Sequence, residues 1–394
     1  MTHVLIIGGY GNFGSYIARA LATDPNISLL IGGRSQTKAN AFAASLHALN
    51  PASGCAIDID GDIEARLREI GAHIIIHTTG PFQAQDHRVA RAAVAAGAHY
   101  LDLADAREFV ATIGELDAAA RKAGVAVIAG ASSVPCLTAA FLDRYKGHFA
   151  KLTSATYGIA AAQATNRGLG TAASILSYVG KPFTILAAGR RKRVFGWQGI
   201  HAVRYPELGL RLFGYCDIPD LDLFPQRYPD LRDLRFVAGH EVKLLHIGTW
   251  LLSWTVRLGF IRSLATHAER LLKLSFLFDP LGSDKSGFHM FLRGTDHRRR
   301  PAEVRIFMVA RQVHGPNIPC FPAIILARRI AAGHGPGPGA RPCLDLIDID
   351  ELLGSMQHLD IDTSASGPGV AERWPKSAPI TMAWREERSS VRQS

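Results

Sequence analysis

Three glycines spaced as Gly-x-Gly-x-x-Gly follow the apolar run Val4–Ile7 near the start of the chain. The run is typical of a buried parallel strand, and Ser15 to Ala22 are typical of the helix after it. Such glycines allow a tight turn, let a pyrophosphate approach the backbone and let the helix pack close to the sheet. The N–H groups that begin the helix then face the phosphates. The pattern predicts a dinucleotide site at Gly9, Tyr10, Gly11, Asn12, Phe13 and Gly14, with Gly9 in the tight turn; a glycine turn without a ligand is the alternative.

The second predicted strand, Ser28 to Gly33, ends in Arg34 and Ser35. An NAD-specific site usually has Asp or Glu here, on the ribose 2′-hydroxyl. An acidic residue would repel a 2′-phosphate, whereas Arg34 can pair with it, with Ser35 and Lys38 as further donors. The cofactor is therefore predicted to be NADP. The alternative is that Arg34 is a solvated charge at the end of a strand.

Further loops leave the carboxyl ends of predicted strands, which is where open α/β sheets bind their ligands. Asp58 follows the third strand and is expected near the adenine. The loop after the fourth strand is expected at the nicotinamide end, although an ordinary strand-to-helix turn is the alternative. We predict cofactor contacts from these loops at Thr78, Thr79, Gly80, Pro81, Phe82 and Ser132.

Two carboxylates, Asp102 and Asp105, lie nearest the predicted nicotinamide. Either could orient a cationic nitrogen in a substrate, so both are candidate catalytic residues. A structural or helix-capping role is the alternative. Tyr178 and Lys181 are three positions apart, whereas the Tyr-x-x-x-Lys pair of short-chain dehydrogenases needs four. No metal constellation is indicated, because the five cysteines have no C-x-x-C spacing.

The elements that must position these residues alternate as strand and helix over the first 150 residues. This pattern predicts an α/β fold with a Rossmann-type, doubly wound parallel sheet. Mixed strands and grouped helices then predict a second, α+β domain with a mostly antiparallel sheet. We expect the NADP-binding domain at 1–150, the substrate and dimerisation domain at 151–320, a return to the first domain at 321–362 and a polar tail at 363–394.

The net charge of +10 permits attraction to acidic partners. The two basic runs, 190–193 and 298–300, lie in predicted turns and are not interleaved with aromatic residues. They are therefore interpreted as solvated hairpin tips, and no nucleic-acid partner is predicted. The chain enters a strand at once, without a signal-peptide pattern, which indicates the cytoplasm.

An apolar segment from Leu244 to Val256 lies between Lys243 and Arg257. It is too short to cross a bilayer, which needs about 20 residues. We favour a buried helix, a wall of an apolar substrate pocket or a dimer interface over a helix on a membrane surface.

Several motifs together resemble the saccharopine dehydrogenase-like oxidoreductases. They are the opening glycine pattern with Gly33-Arg34-Ser35, Thr78-Thr79-Gly80-Pro81-Phe82, Ala96-Gly97-Ala98-His99-Tyr100-Leu101-Asp102 and Gly130-Ala131-Ser132-Ser133-Val134-Pro135. The resemblance covers the first 150 residues and continues more thinly through Gly168–Thr171 and Gly315–Ala323. It implies an NADP-binding domain interrupted by a substrate and dimerisation domain, a homodimer, and hydride transfer to a carbon–nitrogen double bond. The substrate does not follow from the family, because relatives share the cofactor domain while their substrates differ.

Two functions stay open from the sequence. The first is an NADP-dependent oxidoreductase that acts on a small molecule, either an imine or amino-acid derivative or an unsaturated hydrophobic compound. The second is a non-catalytic NADP-binding protein whose second domain mediates dimerisation or binds a partner.

Overall fold

The computed structural model describes residues 1–165 and 167–374. Its first half alternates strands and helices, with short 3-10 turns between some of them. These elements are β1 (Thr2–Ile7), α1 (Asn12–Leu21), β2 (Ile27–Gly33), α2 (Gln36–Ser45), β3 (Ala52–Ala56), α3 (Ile63–Ile70), β4 (Ile74–His77), α4 (Arg88–Ala95), β5 (His99–Asp102), α5 (Arg107–Thr112), α6 (Asp117–Ala123), β6 (Ala126–Ala129) and α7 (Thr138–Lys146).

The remaining described chain is richer in strands. Its elements are β7 (Lys151–Ala161), α8 (Leu169–Tyr178), β8 (Pro182–Ala187), β9 (Arg190–Phe195), β10 (His201–Tyr205), β11 (Gly209–Tyr215), α9 (Asp220–Arg227), β12 (Asp233–His240), α10 (Lys243–Arg257), α11 (Ala268–Ser275), β13 (Ser286–Thr295), β14 (Pro301–Ala310), α12 (Phe321–Ala331), β15 (Gly339–Pro342), α13 (Ile349–Ser355), β16 (Ile361–Gly367) and β17 (Val370–Trp374).

The first sheet has seven strands in the order β15-β6-β5-β4-β1-β2-β3, and all its pairs are parallel. The order reverses at β1, with β2 and β3 on one side and β4 to β6 on the other. Strands such as β4, Ile-Ile-Ile-His, are buried along their whole length because helices cover both faces of the sheet. The predicted doubly wound α/β fold is confirmed.

The second sheet follows the order β10-β11-β12-β7-β13-β14-β16-β17. Its pairs are antiparallel except for the parallel pair of β12 with β7. β8 pairs with β12 and β9, outside this path. The mixed second domain that the sequence predicts is therefore present, and α8, α10 and α11 lie between its sheet strands in sequence.

Two elements that follow the second sheet's strand β14 in sequence, α12 and β15, pack against the first domain. α12 has a continuous buried stretch from Phe321 to Ala327, and the Phe321 ring meets Tyr16 of α1 at 5.9 Å between centroids. β15 pairs with β6 through Gly339 to Pro342. β15 is thus an edge strand, where a proline is tolerated because one side of the strand needs no N–H donor.

Three sequence predictions about local structure are wrong. After the Gly/Pro stretch 333–338 the sequence predicts a strand at 343–349; the strand lies instead at 339–342, because pairing with β6 decides its position. Arg190 to Arg193 are part of β9 rather than a hairpin tip; β9 is an edge strand whose charged side chains remain exposed. The tail expected from 363 includes β16 and β17, because β16 completes a pairing with β14. The rest of that tail, 375–394, lies outside the described residues.

Arg107, at the start of α5, binds the second domain. Its Nη1 donates to Asp217 Oδ1 and to Thr184 O, both at 2.9 Å, and its Nη2 donates to Asp222 Oδ1 at 2.6 Å. The side chain is mostly buried, with 12% exposure. These bonds join the carboxyl edge of the first sheet to β8 and α9.

Candidate functional site

The glycine turn after β1 is tighter than any other residue type would allow. Gly8, and not Gly9, has the left-handed conformation, with φ of +82°. The predicted role of Gly9 in the tight turn is therefore shared with the residue before it. A Cβ atom on Gly14 would lie 2.2 Å from Gly8 O, so α1 packs directly on the turn. The sequence could have indicated this through its Gly8-Gly9 pair, since glycine is the residue that accepts positive φ without strain.

The N-terminus of α1 fits a pyrophosphate. Gly11 precedes the helix in an extended conformation and provides no side-chain cap. A Cβ atom at this position would lie 3.1 Å from Gly8 O, so a side chain here would crowd the cradle. Helix N–H groups without a side-chain cap, at the positive end of the helix dipole, favour an anion.

The end of β2 is organised by Tyr10. Its ring lies on Gly33, where a Cβ atom would come within 2.3 Å of Tyr10 Cε1. The Tyr10 hydroxyl accepts a hydrogen bond from Ser35 N at 3.2 Å. Ser35 in turn caps α2, because its Oγ accepts from Lys38 N at 3.3 Å. The glycine turn and the predicted 2′-phosphate site are therefore held together by one aromatic side chain.

Arg34 is exposed at this end of β2 and forms no ion pair with any described residue. Lys38 is also exposed, one helical turn away. Asp58 lies at the same edge, since Ile57 N donates to Gly33 O at 3.0 Å. Its Oδ1 accepts from Asp60 N at 3.2 Å, which leaves the side chain exposed in a turn. Two exposed cations, Arg34 and Lys38, therefore lie next to the ribose end of the predicted site, with Asp58 at the same edge.

The loop after β4 contacts the glycine turn. Thr78 Oγ1 donates to Ile7 O at 2.9 Å, and Gly8 has no room for a side chain against Thr78 and Thr79. Gln85 Nε2 donates to Thr79 O at 2.6 Å and so holds the loop closed. Beyond the exposed Gly80 the peptide bond to Pro81 is cis. Phe82 is buried against the His77 ring at 5.0 Å between centroids.

Asp102 is completely buried and holds two strand ends together. Its Oδ1 accepts from Ala104 N at 2.9 Å and from Gly130 N at 2.7 Å. Burial raises the pKa of its carboxyl from 3.8 to about 7, while these backbone hydrogen bonds lower it. This arrangement favours a structural role for Asp102 over a catalytic one. Its carboxylate positions the loops after β5 and β6 and does not face a substrate.

Asp105 is exposed and faces the second domain. Its Oδ1 accepts from Gln83 Nε2 at 3.1 Å. Surrounding protein raises the pKa of this carboxyl above its ordinary value, and the hydrogen bond from Gln83 lowers it. Gln83 and Ser174 were not predicted from the sequence, since neither has a motif around it.

Helix α8 lies across the predicted cofactor edge. A Cβ atom on Gly168 would be 3.0 Å from Asn12 Nδ2, and one on Gly170 would be 3.7 Å from Gly80 O. The start of α8 therefore bridges the glycine turn and the loop after β4. Ser174, one turn further along, is buried on the side of Asp105. The second domain therefore covers this edge of the first sheet through α8.

A large cavity of about 840 Å³ lies on the side of α8 that faces away from Asp105. Its floor includes Asn12 and Phe13 of the glycine turn and Ser133 after β6, while Ser132 is buried beside it. Its walls are mainly aliphatic and aromatic, with Ile175 and Leu176 from α8, Leu245 and Leu252 from α10, Leu271 and Leu272 from α11, and Ile159, Phe288 and Met308 from the second sheet. The wall therefore comes from elements that are distant in sequence, and no single segment could have indicated it.

Charged side chains are rare among the described residues that line this cavity. Arg167 is its one guanidinium among the described lining residues, and its charge is balanced by Asp279 at 2.5 Å. Its guanidinium also lies over the Phe276 ring at 4.7 Å. Gln163 Nε2 likewise donates to Asp279 Oδ1 at 2.9 Å. The polar side chains at this end are thus paired with each other, which leaves the cavity suited to an apolar molecule.

Residues 4–128 match the model of the saccharopine dehydrogenase NADP binding domain family. The predicted resemblance to this family is confirmed for that part of the chain, which contains the glycine turn, Arg34 and both candidate aspartates. The match also supports a nicotinamide dinucleotide as the ligand of the first domain. No curated protein matches the chain in sequence.

Solved structures are similar to the chain in fold. Saccharopine dehydrogenase (L-Glu forming) from Saccharomyces cerevisiae has a TM-score of 0.65 and 12% identity, over 93% of this chain and 100% of that chain. Amine dehydrogenase from Mycobacterium smegmatis has a TM-score of 0.48 and 12% identity, over 89% of this chain and 95% of that chain. At such identities the likeness concerns the arrangement of the elements and not the substrate.

Proposed function

We propose that this chain, whose residues 4–128 belong to the saccharopine dehydrogenase NADP binding domain family, is an NADP-dependent oxidoreductase that acts on a substrate with a large apolar portion. The observation that carries the proposal is the apolar cavity of about 840 Å³ whose floor includes Asn12 and Phe13, between the second and third glycines of the motif. A cofactor bound at Asn12 and Phe13 would therefore border the space for the substrate. Bound NADPH would supply the hydride.

The choice of NADP rests on the exposed Arg34 at the end of β2. No described acidic residue neutralises it, and Ser35 and Lys38 are placed beside it at the start of α2. A guanidinium at this position can form a charge-assisted contact with a 2′-phosphate, whereas a free ribose 2′-hydroxyl carries no charge for it to pair with.

Asp105 is our candidate for the catalytic group; it lies across α8 from the cavity and does not line it, so the reacting end of the substrate would have to extend past the start of α8 to meet it. This carboxylate is held by Gln83, and surrounding protein raises its pKa above that of an ordinary aspartate, which is the direction that a proton donor needs. It could orient a cationic nitrogen or return a proton after hydride transfer. The cavity favours the hydrophobic unsaturated substrate over a small amino-acid derivative, because its walls provide little to pair with charge.

NADPH oxidation across two substrate series would test this function. One series contains imines and the other enoyl compounds, each with alkyl chains of increasing length. We expect KM to fall with chain length, because each buried methylene contributes about 0.8 kcal/mol, or a factor of about four. Turnover that does not depend on chain length would contradict the assignment of the cavity.

A variant that fills the cavity provides a further check. Ile175→Trp should raise KM for long chains and leave KM for short chains and NADPH affinity nearly unchanged. Leu49→Trp, at an exposed position far from the cavity, is the matched control. Tight NADPH binding without turnover of either series would instead favour the non-catalytic alternative.

A further inference from the structure

The largest apolar side chains on the surface are concentrated in one region. Nine of the fourteen exposed large hydrophobic residues among the described residues lie between positions 244 and 281. They belong to α10, to the turn after it, to the end of α11 and to the 3-10 turn that follows α11 at Phe276–Leu281. We define the apolar rim by six of them: Leu244, Leu251, Leu258, Phe260, Leu274 and Leu277.

Half of the apolar rim lies at the mouth of the cavity. Leu244, Leu251 and Leu274 line the cavity and are also 64%, 56% and 52% exposed, so they stand where it meets solvent. Leu244 and Leu251 are seven residues apart and so share one face of α10, and Leu258 follows at the same interval as the C-cap residue. Phe260 and Leu277 are 80% and 72% exposed and do not line the cavity. Side chains of this size are seldom left in water as a group without a binding partner.

Positive charge accompanies the apolar rim. Residues 243–278 contain five lysines and arginines and one acidic residue, Glu269, which is paired with Lys273 at 2.8 Å. Arg262 and Arg270 are exposed and form no ion pair with any described residue. Apolar side chains among unpaired cations are typical of a surface that lies in the head-group region of an anionic membrane.

The same charges disfavour a second copy of this chain as the occupant. A two-fold interface brings each patch against its own equivalent, so the cations would face one another. Like charges in contact across an interface are unfavourable. α10 has 15 residues, and no helix in the described part of the chain is long and apolar enough to cross a membrane.

We propose that the apolar rim docks on a bilayer that contains anionic lipids, with the mouth of the cavity against the lipid. α10 would lie in the plane of the head groups rather than across the bilayer. The sequence alone favours a buried helix, a wall of an apolar pocket or a dimer interface over a position on a membrane surface. In the structure α10 does line the apolar cavity, and the proposal concerns the exposed face of the same helix. This proposal does not depend on the proposed function, because it concerns the surface and not the reaction.

Co-sedimentation with vesicles tests the docking. The intact chain should sediment with phosphatidylcholine vesicles that contain phosphatidylserine, and much less with phosphatidylcholine alone. Phe260→Ser with Leu277→Ser should weaken the binding at least about tenfold, since two large side chains no longer enter the lipid. Arg262→Glu with Arg270→Glu should remove most of the dependence on phosphatidylserine, again about tenfold or more.

Matched variants elsewhere serve as controls. Leu49→Ser changes a side chain of similar exposure, 67%, and Arg298→Glu with Arg299→Glu reverses two charges in the turn between β13 and β14. Both should bind vesicles as the parent does. NADPH titration of each variant separates docking from cofactor binding, because neither the rim nor the controls belong to the predicted cofactor site.

Two results would overturn the proposal. One is vesicle binding that the rim variants leave unchanged. The other is an absence of vesicle binding together with a dimer, seen by analytical ultracentrifugation, that the rim variants dissociate. The second result would show that the apolar rim is an interface between copies of this chain.

Discussion

Arg34 is the side chain on which the choice of cofactor depends. We expect NADPH to bind more tightly than NADH, because a charge-assisted contact with the 2′-phosphate contributes about 1.5–3 kcal/mol, a preference of roughly tenfold to a hundredfold. Arg34→Ala should remove most of this difference while leaving NADH affinity nearly unchanged. Fluorescence titration with both cofactors measures it.

A control variant distinguishes this contact from general electrostatic attraction in a chain of net charge +10. Arg298→Ala removes an equal charge in the turn between β13 and β14, away from the glycine turn. It should leave the preference for NADPH as it is. Equal affinities of the parent for the two cofactors would contradict the assignment of Arg34.

Asp105 and Asp102 should respond differently to the loss of their charge. Asp105→Asn keeps the shape of the side chain and removes the carboxylate that faces the second domain, so turnover should fall at least about tenfold. NADPH affinity should change little, because the glycine turn and Arg34 are untouched. Steady-state kinetics with NADPH titration gives both values; full activity of this variant would place the catalytic group elsewhere.

Asp102 instead makes stability depend on pH. Burial raises its pKa from 3.8 to about 7, so the folded protein holds a proton that the unfolded chain releases. This contribution to stability is fully present below pH 3.8 and is lost as the pH rises through about 7. A difference of that size corresponds to roughly 4 kcal/mol.

Asp102→Asn should therefore gain stability relative to the parent as the pH rises from 4 to 8. The amide oxygen can still accept from Ala104 and Gly130, so the fold is retained. Urea unfolding at each pH compares the two proteins. Buried histidines such as His77, whose pKa burial lowers to about 3, act in the opposite direction but are common to both. A difference in stability that is constant with pH would contradict the raised pKa.

At the scale of elements, the contact of α1 with the turn before it leaves no room for a side chain at Gly14. Gly14→Ala would place a Cβ atom 2.2 Å from Gly8 O, which forces the helix away from the turn. We expect NADPH binding to be lost and the midpoint of thermal unfolding to fall by several degrees, as for a loss of about 1–3 kcal/mol.

Gly114→Ala is the matched substitution, because a Cβ atom there would meet no atom within 4 Å. It should leave both NADPH affinity and thermal stability nearly unchanged. Tight NADPH binding by Gly14→Ala would show that the turn can relax and that the cradle is not built on this contact.

At the scale of the whole molecule, the first sheet takes its edge strand and a covering helix from the end of the chain. α12 packs on α1, and β15 pairs with β6. A chain that ends at Ala150 would lack both and would expose the apolar residues that α12 covers. We expect it to be poorly soluble and to unfold without a sharp transition. Cooperative unfolding with full NADPH affinity would show that the first 150 residues are independent of the return.

The sequence by itself determined the parts that depend on local patterns. The apolar run and the three glycines predict β1, the turn and α1, because backbone approach and helix packing there exclude side chains. Arg34 is placed correctly at the end of β2, since a strand and its exit can be recognised from a few neighbouring residues. The alternation of strands and helices predicts the parallel sheet for the same reason.

Only the tertiary structure decided which groups meet across the chain. The sequence treats Asp102 and Asp105 alike, yet packing buries the first against backbone N–H groups and leaves the second facing α8. The apolar cavity and the apolar rim likewise depend on α8, α10 and α11 being brought over the glycine turn. Exposure and burial are properties of neighbours that are distant in sequence, and a local pattern does not contain them.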